Sequence, residues 1–267
     1  MMDRQTMCKP IFWMSALLAA VSYPALADQW SKSFKAGAKP ELHVTTNDGN
    51  VTVRASAVNT IEARVLTAGW KIGPGDVRIA ESQTGDRVEL EVKVPSLHFN
   101  LGDRWVKIEL DVPTATTADI HTGDGNIRSN GLRGNTRLVT HDGNIEGESF
   151  DGALEASSGD GNIHVRGRFD ALNIRSGDGN IEAEVRSGSR MSGGWTVHSG
   201  DGHVTLRLPE GFAANVDAHT GDGRITVDLP LTTAGGIREN TVSGKLNGGG
   251  QTLTIHTGDG SIHLARL

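Results

Sequence analysis

The sequence predicts an all-β protein built as a β-solenoid, in which the strands of successive coils stack in parallel. A Ser or Thr, one spacer residue and an Asp-Gly pair lead into Val or Ile eight times, and the four central copies lie 18 residues apart. Apolar residues alternate around each pair, which is the period of a strand with one buried face. The chain also has 35 Gly and 1 Tyr. A fixed period of this length is typical of stacked repeats.

Each position of the repeat predicts one structural role. With each Asp counted as position zero, position +3 is always Val or Ile, position −4 is apolar and position −2 is always Ser or Thr. Positions −4 and −2 share one parity on the strand before the turn, and +3 is invariably apolar on the strand after it, so we expect all three to face the core. The eight repeat aspartates are Asp48, Asp124, Asp142, Asp160, Asp178, Asp201, Asp222 and Asp259.

The Asp-Gly pairs are first of all turn residues. Glycine can adopt positive φ, and the Asp carboxylate can accept a local backbone N–H. Position +2 predicts a ladder of stacked asparagine amides that ends where other residues take their place. Its members are Asn50, Asn126, Asn144, Asn162 and Asn180, followed by His203, Arg224 and Ser261. A hairpin-built β-sandwich shares the same local pattern and is the alternative, but the strict 18-residue register favours stacked coils.

The N-terminal residues 1–27 have the layout of a secretory signal peptide. Arg4 and Lys9 precede an apolar run from Ile11 to Val21, and Ala25-Leu26-Ala27 precedes the expected cleavage before Asp28. The apolar run is shorter than the roughly 20 residues that span a bilayer, so we expect no transmembrane segment in the mature chain. The single cysteine should leave with the signal. We therefore expect an exported protein, periplasmic or secreted to the cell surface.

The mature chain divides into two predicted parts. Residues 28–116 hold one repeat unit and several plain alternating strands, which indicates an N-terminal strand-rich cap or lobe. Residues 117–267 hold the remaining Asp-Gly repeats and form the solenoid. Two Gly- and Ser-rich insertions, 187–194 and 231–250, are predicted to be loops.

The repeats resemble a known bacterial family of β-strand repeats, domain of unknown function 4097, labelled a putative adhesin family. The resemblance covers most of the mature chain. It depends on the export signal, the strand with Thr46-Asn47-Asp48-Gly49-Asn50-Val51, the Val112-Pro113 step, the repeats, and Leu246-Asn247-Gly248-Gly249-Gly250 before the last Asp-Gly pair. It implies an exported protein with a β-solenoid-like fold and supplies no catalytic motif.

The charge and the repeat spacing bear on ligands. The chain has 26 basic and 32 acidic side chains, and its net charge of −6 disfavours binding to nucleic acid. Calcium-binding Gly-Asp repeats also form 18-residue coils, but here the Asp motif occurs once per coil. An EF-hand loop with Asp160 at its fifth position would begin at Ala156 and end at Gly167, neither of which can ligate calcium. A calcium-binding repeat protein remains an alternative, and we expect no cofactor and no metal-ligating residues.

Histidines recur at the outward position −3, where they form a stripe of possible metal ligands. His198 and His219 would share a metal if their coils stacked, although a solvated surface stripe is the simpler interpretation. The four residues are His121, His198, His219 and His256.

The outward-facing charged residues are the candidates for catalysis. Some β-helix enzymes cleave acidic polysaccharides with surface carboxylates and bases. His164, Arg166, Arg175 and Glu182 are the candidates here, but they lack the spacing of an acid and base pair. We therefore expect no catalytic residues and no cofactor-binding residues.

The sequence as a whole predicts an exported, non-enzymatic binding or scaffold protein of the cell envelope. Its partner would be an envelope or surface protein or a glycan. A polysaccharide-active β-helix enzyme is the alternative. The sequence leaves the identity of the ligand and the oligomeric state open.

Overall fold

The computed structural model describes residues 28–95, 104–233 and 239–267, so the predicted signal peptide lies outside the described residues. These ranges contain strands and turns and no helix. The strands of the first half are β1 (Asp28–Lys35), β2 (Glu41–Thr46), β3 (Asn50–Ser56), β4 (Thr60–Ala68), β5 (Arg78–Thr84), β6 (Arg87–Lys93), β7 (Trp105–Pro113), β8 (Thr117–Thr122), β9 (Ile127–Asn130) and β10 (Arg133–Val139). The second half contains β11 (Ile145–Ser158), β12 (Ile163–Ser176), β13 (Ile181–Val185), β14 (Trp195–Ser199), β15 (Val204–Leu208), β16 (Ala214–Thr220), β17 (Ile225–Val227), β18 (Leu231–Thr232), β19 (Thr241–Leu246), β20 (Thr252–Thr257) and β21 (Ile262–Arg266).

The strands form two stacks of mainly parallel pairs, one on each side of the Asp-Gly turns. The first sheet runs in the order β5, β6, β2, β8, β10, β11, β12, β14, β20, β16, β19, β18. The second sheet runs in the order β1, β4, β7, β3, β9, β11, β12, β13, β15, β21, β17. The long strands β11 and β12 take part in both sheets. This architecture confirms the predicted all-β solenoid.

Both ends of the stack depart from the order of the chain. The first repeat coil, β2 and β3, lies between β6–β7 and β8–β9. The last repeat coil, β20 and β21, lies between β14–β15 and β16–β17. Antiparallel strands then cover the two ends: β1, β4 and β5 at one end and β18 and β19 at the other. They limit the unpaired parallel edge that the end coils expose.

The two insertions that were predicted to be loops differ in structure. Residues 187–194 form the predicted loop between β13 and β14. The prediction of a loop over 231–250 is wrong in part, because Thr241–Leu246 forms β19 and pairs with β16. The pairing gives the last coil of the stack a hydrogen-bonded neighbour in the first sheet.

One continuous core lies between the two sheets. All eight residues at position +3 are buried, and so are those at position −4. Trp195 at position −6 is 1% exposed and packs between Phe169 and Phe212, with ring centroids 6.4 and 5.2 Å away. The predicted inward parity of the repeat is confirmed.

The buried hydroxyls at position −2 bond the backbone of the turns. Ser176 Oγ donates to the carbonyl oxygen of Gly161 in the preceding coil at 3.0 Å and accepts the N–H of Gly179 at 3.1 Å. The same pair of bonds recurs at Thr140, Ser158 and Ser199. Each hydroxyl therefore satisfies one buried donor and one buried acceptor where the turn has no sheet partner.

Close stacking, rather than positive φ, requires glycine after most of the repeat aspartates. Only Gly49 of these eight glycines has positive φ, at 131°. A Cβ at Gly161 would overlap the carbonyl oxygen of Gly143, and the same overlap recurs in each neighbouring pair of coils. The expectation that these glycines supply positive φ is corrected accordingly.

Candidate functional site

The outer face of the first sheet carries a long groove of about 540 Å³ across the central coils. Outward residues at positions −5 and −7 line it. Small residues at −7, namely Ala153, Ala171 and Gly194, leave room above the sheet, while position −5 supplies polar side chains. The groove is therefore open, elongated and polar along one row.

A chain of charges occupies the −5 row at one end of the groove. Asp119 Oδ1 lies 3.0 Å from His121 Nε2, and Asp119 Oδ2 lies 3.5 Å from His43 Nδ1. Arg137 Nε lies 3.2 Å from Glu155 Oε1 on the next strand. Because strands in a parallel sheet lie about 4.8 Å apart, opposite charges on neighbouring strands pair directly.

The tautomer of His121 determines whether this ring can donate a hydrogen bond to Asp119. Arg137 Nη1 lies 2.7 Å from His121 Nε2, and arginine can only donate, so Nε2 accepts this hydrogen bond. The ring proton then lies on Nδ1, and Nε2 has no hydrogen to give to Asp119. Asp119 Oδ1 is accordingly buried without a hydrogen-bond donor.

Asn173 supplies a second oxygen of this kind in the same groove. Its Oδ1 is buried and has no hydrogen-bond partner among the described residues. Both residues line the groove in one row, Asp119 on β8 and Asn173 on β12, with β10 and β11 between them. A buried acceptor without a donor costs free energy, and a ligand N–H or O–H would recover it.

The outer face of the second sheet is built from paired charges. A shallow groove of about 500 Å³ is lined by Arg54, Arg128 and Glu148, among others. Arg128 Nε donates to Glu146 Oε2 at 2.7 Å, which raises the pKa of Arg128. Here the cations are matched by carboxylates on adjacent strands.

The candidate catalytic residues are divided between the two sheets. On the second sheet, His164 Nδ1 lies 3.4 Å from Glu182 Oε2, and Arg207 donates to Glu182 Oε1 at 3.0 Å. The hydrogen bond from Arg207 lowers the pKa of the Glu182 carboxyl. Arg166 lies between Glu148 and Glu184 on the same face. Arg175 belongs to the first sheet, beside His198, and does not join them.

The repeat aspartates form an exposed row along the turns. All eight are exposed, and in the described part of the chain none of their carboxylates accepts a backbone N–H. The expected local bonds to the turn are therefore wrong. The order in space is that of the coils, so Asp259 falls between Asp201 and Asp222.

The asparagine row beside them is a hydrogen-bonded ladder, as predicted. Asn144 Oδ1 accepts both the backbone N–H and the Nδ2 amide of Asn162, at 2.8 and 3.4 Å. The row does not stop at Asn180, because His203 N–H bonds Asn180 Oδ1 and Ser261 N–H bonds His203 Nδ1. The expected break after Asn180 is thus only a loss of the amide-to-amide bond.

Three histidines at position −3 lie in one stack on the first sheet. The ring of His256 lies between those of His198 and His219, with centroids 5.1 and 5.3 Å away and planes within 2° and 16° of parallel. His198 and His219 are therefore not direct neighbours, although their order in the sequence had suggested that they would be. His121 lies apart from them, in the coil of Asp124.

The Asp119 cluster was not predicted from the sequence, although the sequence contains a signal for it. Asp119, Arg137 and Glu155 alternate in charge at 18-residue steps, which in a parallel stack places each beside the next. His43 joins them only through the long-range pairing of β2 with β8.

Sequence and structure comparisons relate the chain to known proteins. In the described residues no helix could cross a membrane. None of the curated proteins matches the sequence. Three similar solved structures are a putative cell adhesion protein from Clostridium sporogenes (13% identity, 91% of this chain and 100% of that chain, TM-score 0.44), a putative adhesin from Bacteroides fragilis (12%, 90% and 97%, 0.46) and a putative lipid binding protein from Parabacteroides distasonis (14%, 89% and 96%, 0.45). The family model Toastrack DUF4097 matches residues 35–265, and the chain belongs to that family.

Proposed function

We propose that the protein is an exported, non-enzymatic binding protein of the cell envelope and that it binds through the groove on the first sheet. The observation that carries the proposal is the pair of buried, donor-free oxygens at Asp119 and Asn173 within one open groove. Such oxygens select ligands that present N–H or O–H groups. Glycan hydroxyls and the amides of an extended peptide both do so.

The form of the groove supports an extended ligand. The row at −7 stays small at Ala153 in β11, Ala171 in β12 and Gly194 just before β14, so a chain can lie across the strands there without meeting a bulky side chain. The partner is accordingly a protein or glycan of the envelope or the cell surface.

The charge pattern supports binding over catalysis. Glu182 is paired with two bases, and the hydrogen bond from Arg207 lowers the pKa of its carboxyl. A general acid needs a raised pKa, so this carboxylate is suited to an ion pair rather than to proton donation.

A glycan array and envelope pull-down with matched variants test the binding proposal. Ala171→Arg should fill the groove and Asn173→Ala should remove one acceptor, so both should reduce binding at least tenfold. Thr254→Ala changes the same −5 row outside the groove and serves as the control. Equal binding by all three variants and the unchanged protein would refute the groove as the contact face.

Export has its own test. If residues 1–27 direct secretion, cell fractionation should place the protein outside the cytoplasm with Asp28 as its first residue. Asp28 lies in β1, where its carboxylate accepts the N–H of Ile72 at 2.8 Å, so cleavage there leaves the fold whole. A cytoplasmic protein that retains residues 1–27 would contradict export.

A further inference from the structure

The stacked histidines differ from most other histidines of the described chain in lacking an acidic partner. His43, His121, His141, His164 and His263 each lie within 4.0 Å of a carboxylate. His198, His256 and His219 have no such ion pair. A carboxylate would occupy an imidazole nitrogen, so its absence among the described contacts leaves at least one nitrogen of each ring available to a ligand.

We propose that His198, His256 and His219 form a binding site for a borderline divalent transition metal such as Zn²⁺, held between His256 and one of its two neighbours. Imidazole nitrogen suits Zn²⁺, Cu²⁺ and Ni²⁺, whereas Ca²⁺ and Mg²⁺ prefer oxygen. Solvent would supply the remaining ligands of an exposed site.

The spacing of the rings fits pairs of ligands rather than a preformed cage. In the described residues no three His, Cys, Asp or Glu side chains already converge on one point. Two imidazoles on one Zn²⁺ place their nitrogens about 3–4 Å apart, since each bond is about 2.0–2.1 Å. Rings 5.1 and 5.3 Å apart reach that separation by rotation of side chains that lie at the surface.

The two pairs are not equivalent. Arg175 lies on the strand next to His198, and its positive charge opposes a metal there. At the other end, His219 Nδ1 lies 3.1 Å from Thr241 Oγ1, which orients the ring and leaves Nε2 free. The pair of His256 and His219 is therefore the stronger site.

One further feature favours the metal. The net charge of −6 and the exposed turn aspartates raise the local concentration of cations.

Isothermal titration of the full chain with Zn²⁺ tests the site, with protein purified without a histidine tag and in excess Mg²⁺ to occupy the acidic row. We expect His256→Ala to abolish binding because both pairs share that ring. His219→Ala should weaken binding at least tenfold, and His198→Ala should weaken it less. His203→Ala, which removes an exposed histidine outside the stack, should leave the affinity for Zn²⁺ unchanged.

Folding is checked separately by circular dichroism, and His256→Gln replaces His256→Ala if the latter is misfolded. Loss of binding in a folded His256 variant, with His203→Ala unaffected, supports the site. Binding that persists at full strength in the His256 variant, or no Zn²⁺ binding by the unchanged protein, overturns it. The result does not depend on whether the groove binds a ligand.

Discussion

The side-chain oxygen of Asn144 accepts the backbone N–H of Asn162, one coil further along the stack, at 2.8 Å. Asn144→Ala removes this acceptor and the partner of the Asn162 amide. Since the ladder is exposed, we expect a loss of about 0.5–1.5 kcal/mol in the free energy of unfolding, measured by urea denaturation. Asn130→Ala, at an exposed asparagine outside the ladder, should cost less than about 0.5 kcal/mol. Equal losses at the two positions would argue against the ladder as a source of stability.

Gly161 tests the close approach of the coils. In Gly161→Ala the new Cβ meets the backbone carbonyl of Gly143, which cannot move without displacing its coil. We expect the free energy of unfolding to fall by at least about 2 kcal/mol. The matched control is Gly193→Ala, where a Cβ has open space and φ is not positive. A Gly161→Ala protein as stable as the Gly193→Ala protein would show that the repeat glycine is not required for stacking.

Ser176 and Ser129 make a matched pair of buried serines. Ser176→Ala leaves the N–H of Gly179 and the carbonyl of Gly161 without their hydroxyl partner, so we expect a loss of about 1–3 kcal/mol. Ser129 is equally buried, but its hydroxyl has no partner among the described contacts. Ser129→Ala should therefore be neutral or stabilising. Thermal unfolding of both variants compares them, and the opposite ranking would contradict the assigned bonds.

The lowered pKa of His198 predicts that the free energy of unfolding depends on pH below about 6.5. His198 has a lowered pKa in the folded protein, so the unfolded chain binds its proton more readily. The stability linked to His198 is complete above the unfolded pKa of about 6.5 and is lost as the pH falls toward the lowered folded value. His198→Gln should flatten the curve of unfolding free energy against pH in that window. An unchanged curve would mean that the histidine does not titrate as described.

The carboxylates give a second, lower window. The pKa of Asp170 is lowered by its hydrogen bonds from Arg168, and that of Glu182 by Arg207. Their stabilisation is present above the unfolded values near 4 and is lost below them. Comparison of His198→Gln with the unchanged protein isolates the contribution of the histidine, because both proteins keep these carboxylates.

Local rules made much of the fold predictable. The burial of positions −4, −2 and +3, the asparagine ladder and the burial of Trp195 all follow from the alternation of side chains within each strand and the fixed period. The roles of Ser176 and its equivalents could also be anticipated, since a buried hydroxyl needs partners.

The remaining features depend on long-range pairing that no local pattern encodes. His256 lies between His198 and His219 because β20 inserts between β14 and β16, out of chain order. The same kind of insertion brings His43 to Asp119. The sequence alone also did not show why the repeats require glycine, because the overlap of a Cβ at Gly161 with Gly143 becomes visible only once the distance between coils is known.

The Asp-Gly repeat encodes the stacking of coils, with the last repeat inserted next to the end of the stack. Disulfide cross-linking between second-sheet positions, in a Cys8→Ser background, tests this order of coils. Thr205 pairs with His263 on the adjacent strand, whereas Thr226 lies one strand further away. Because a disulfide needs Cα atoms about 4.4–6.8 Å apart, the pair Thr205→Cys and His263→Cys should cross-link on mild oxidation, and the pair Thr205→Cys and Thr226→Cys should not. Preferential cross-linking of the second pair would place the coils in chain order and contradict the claim.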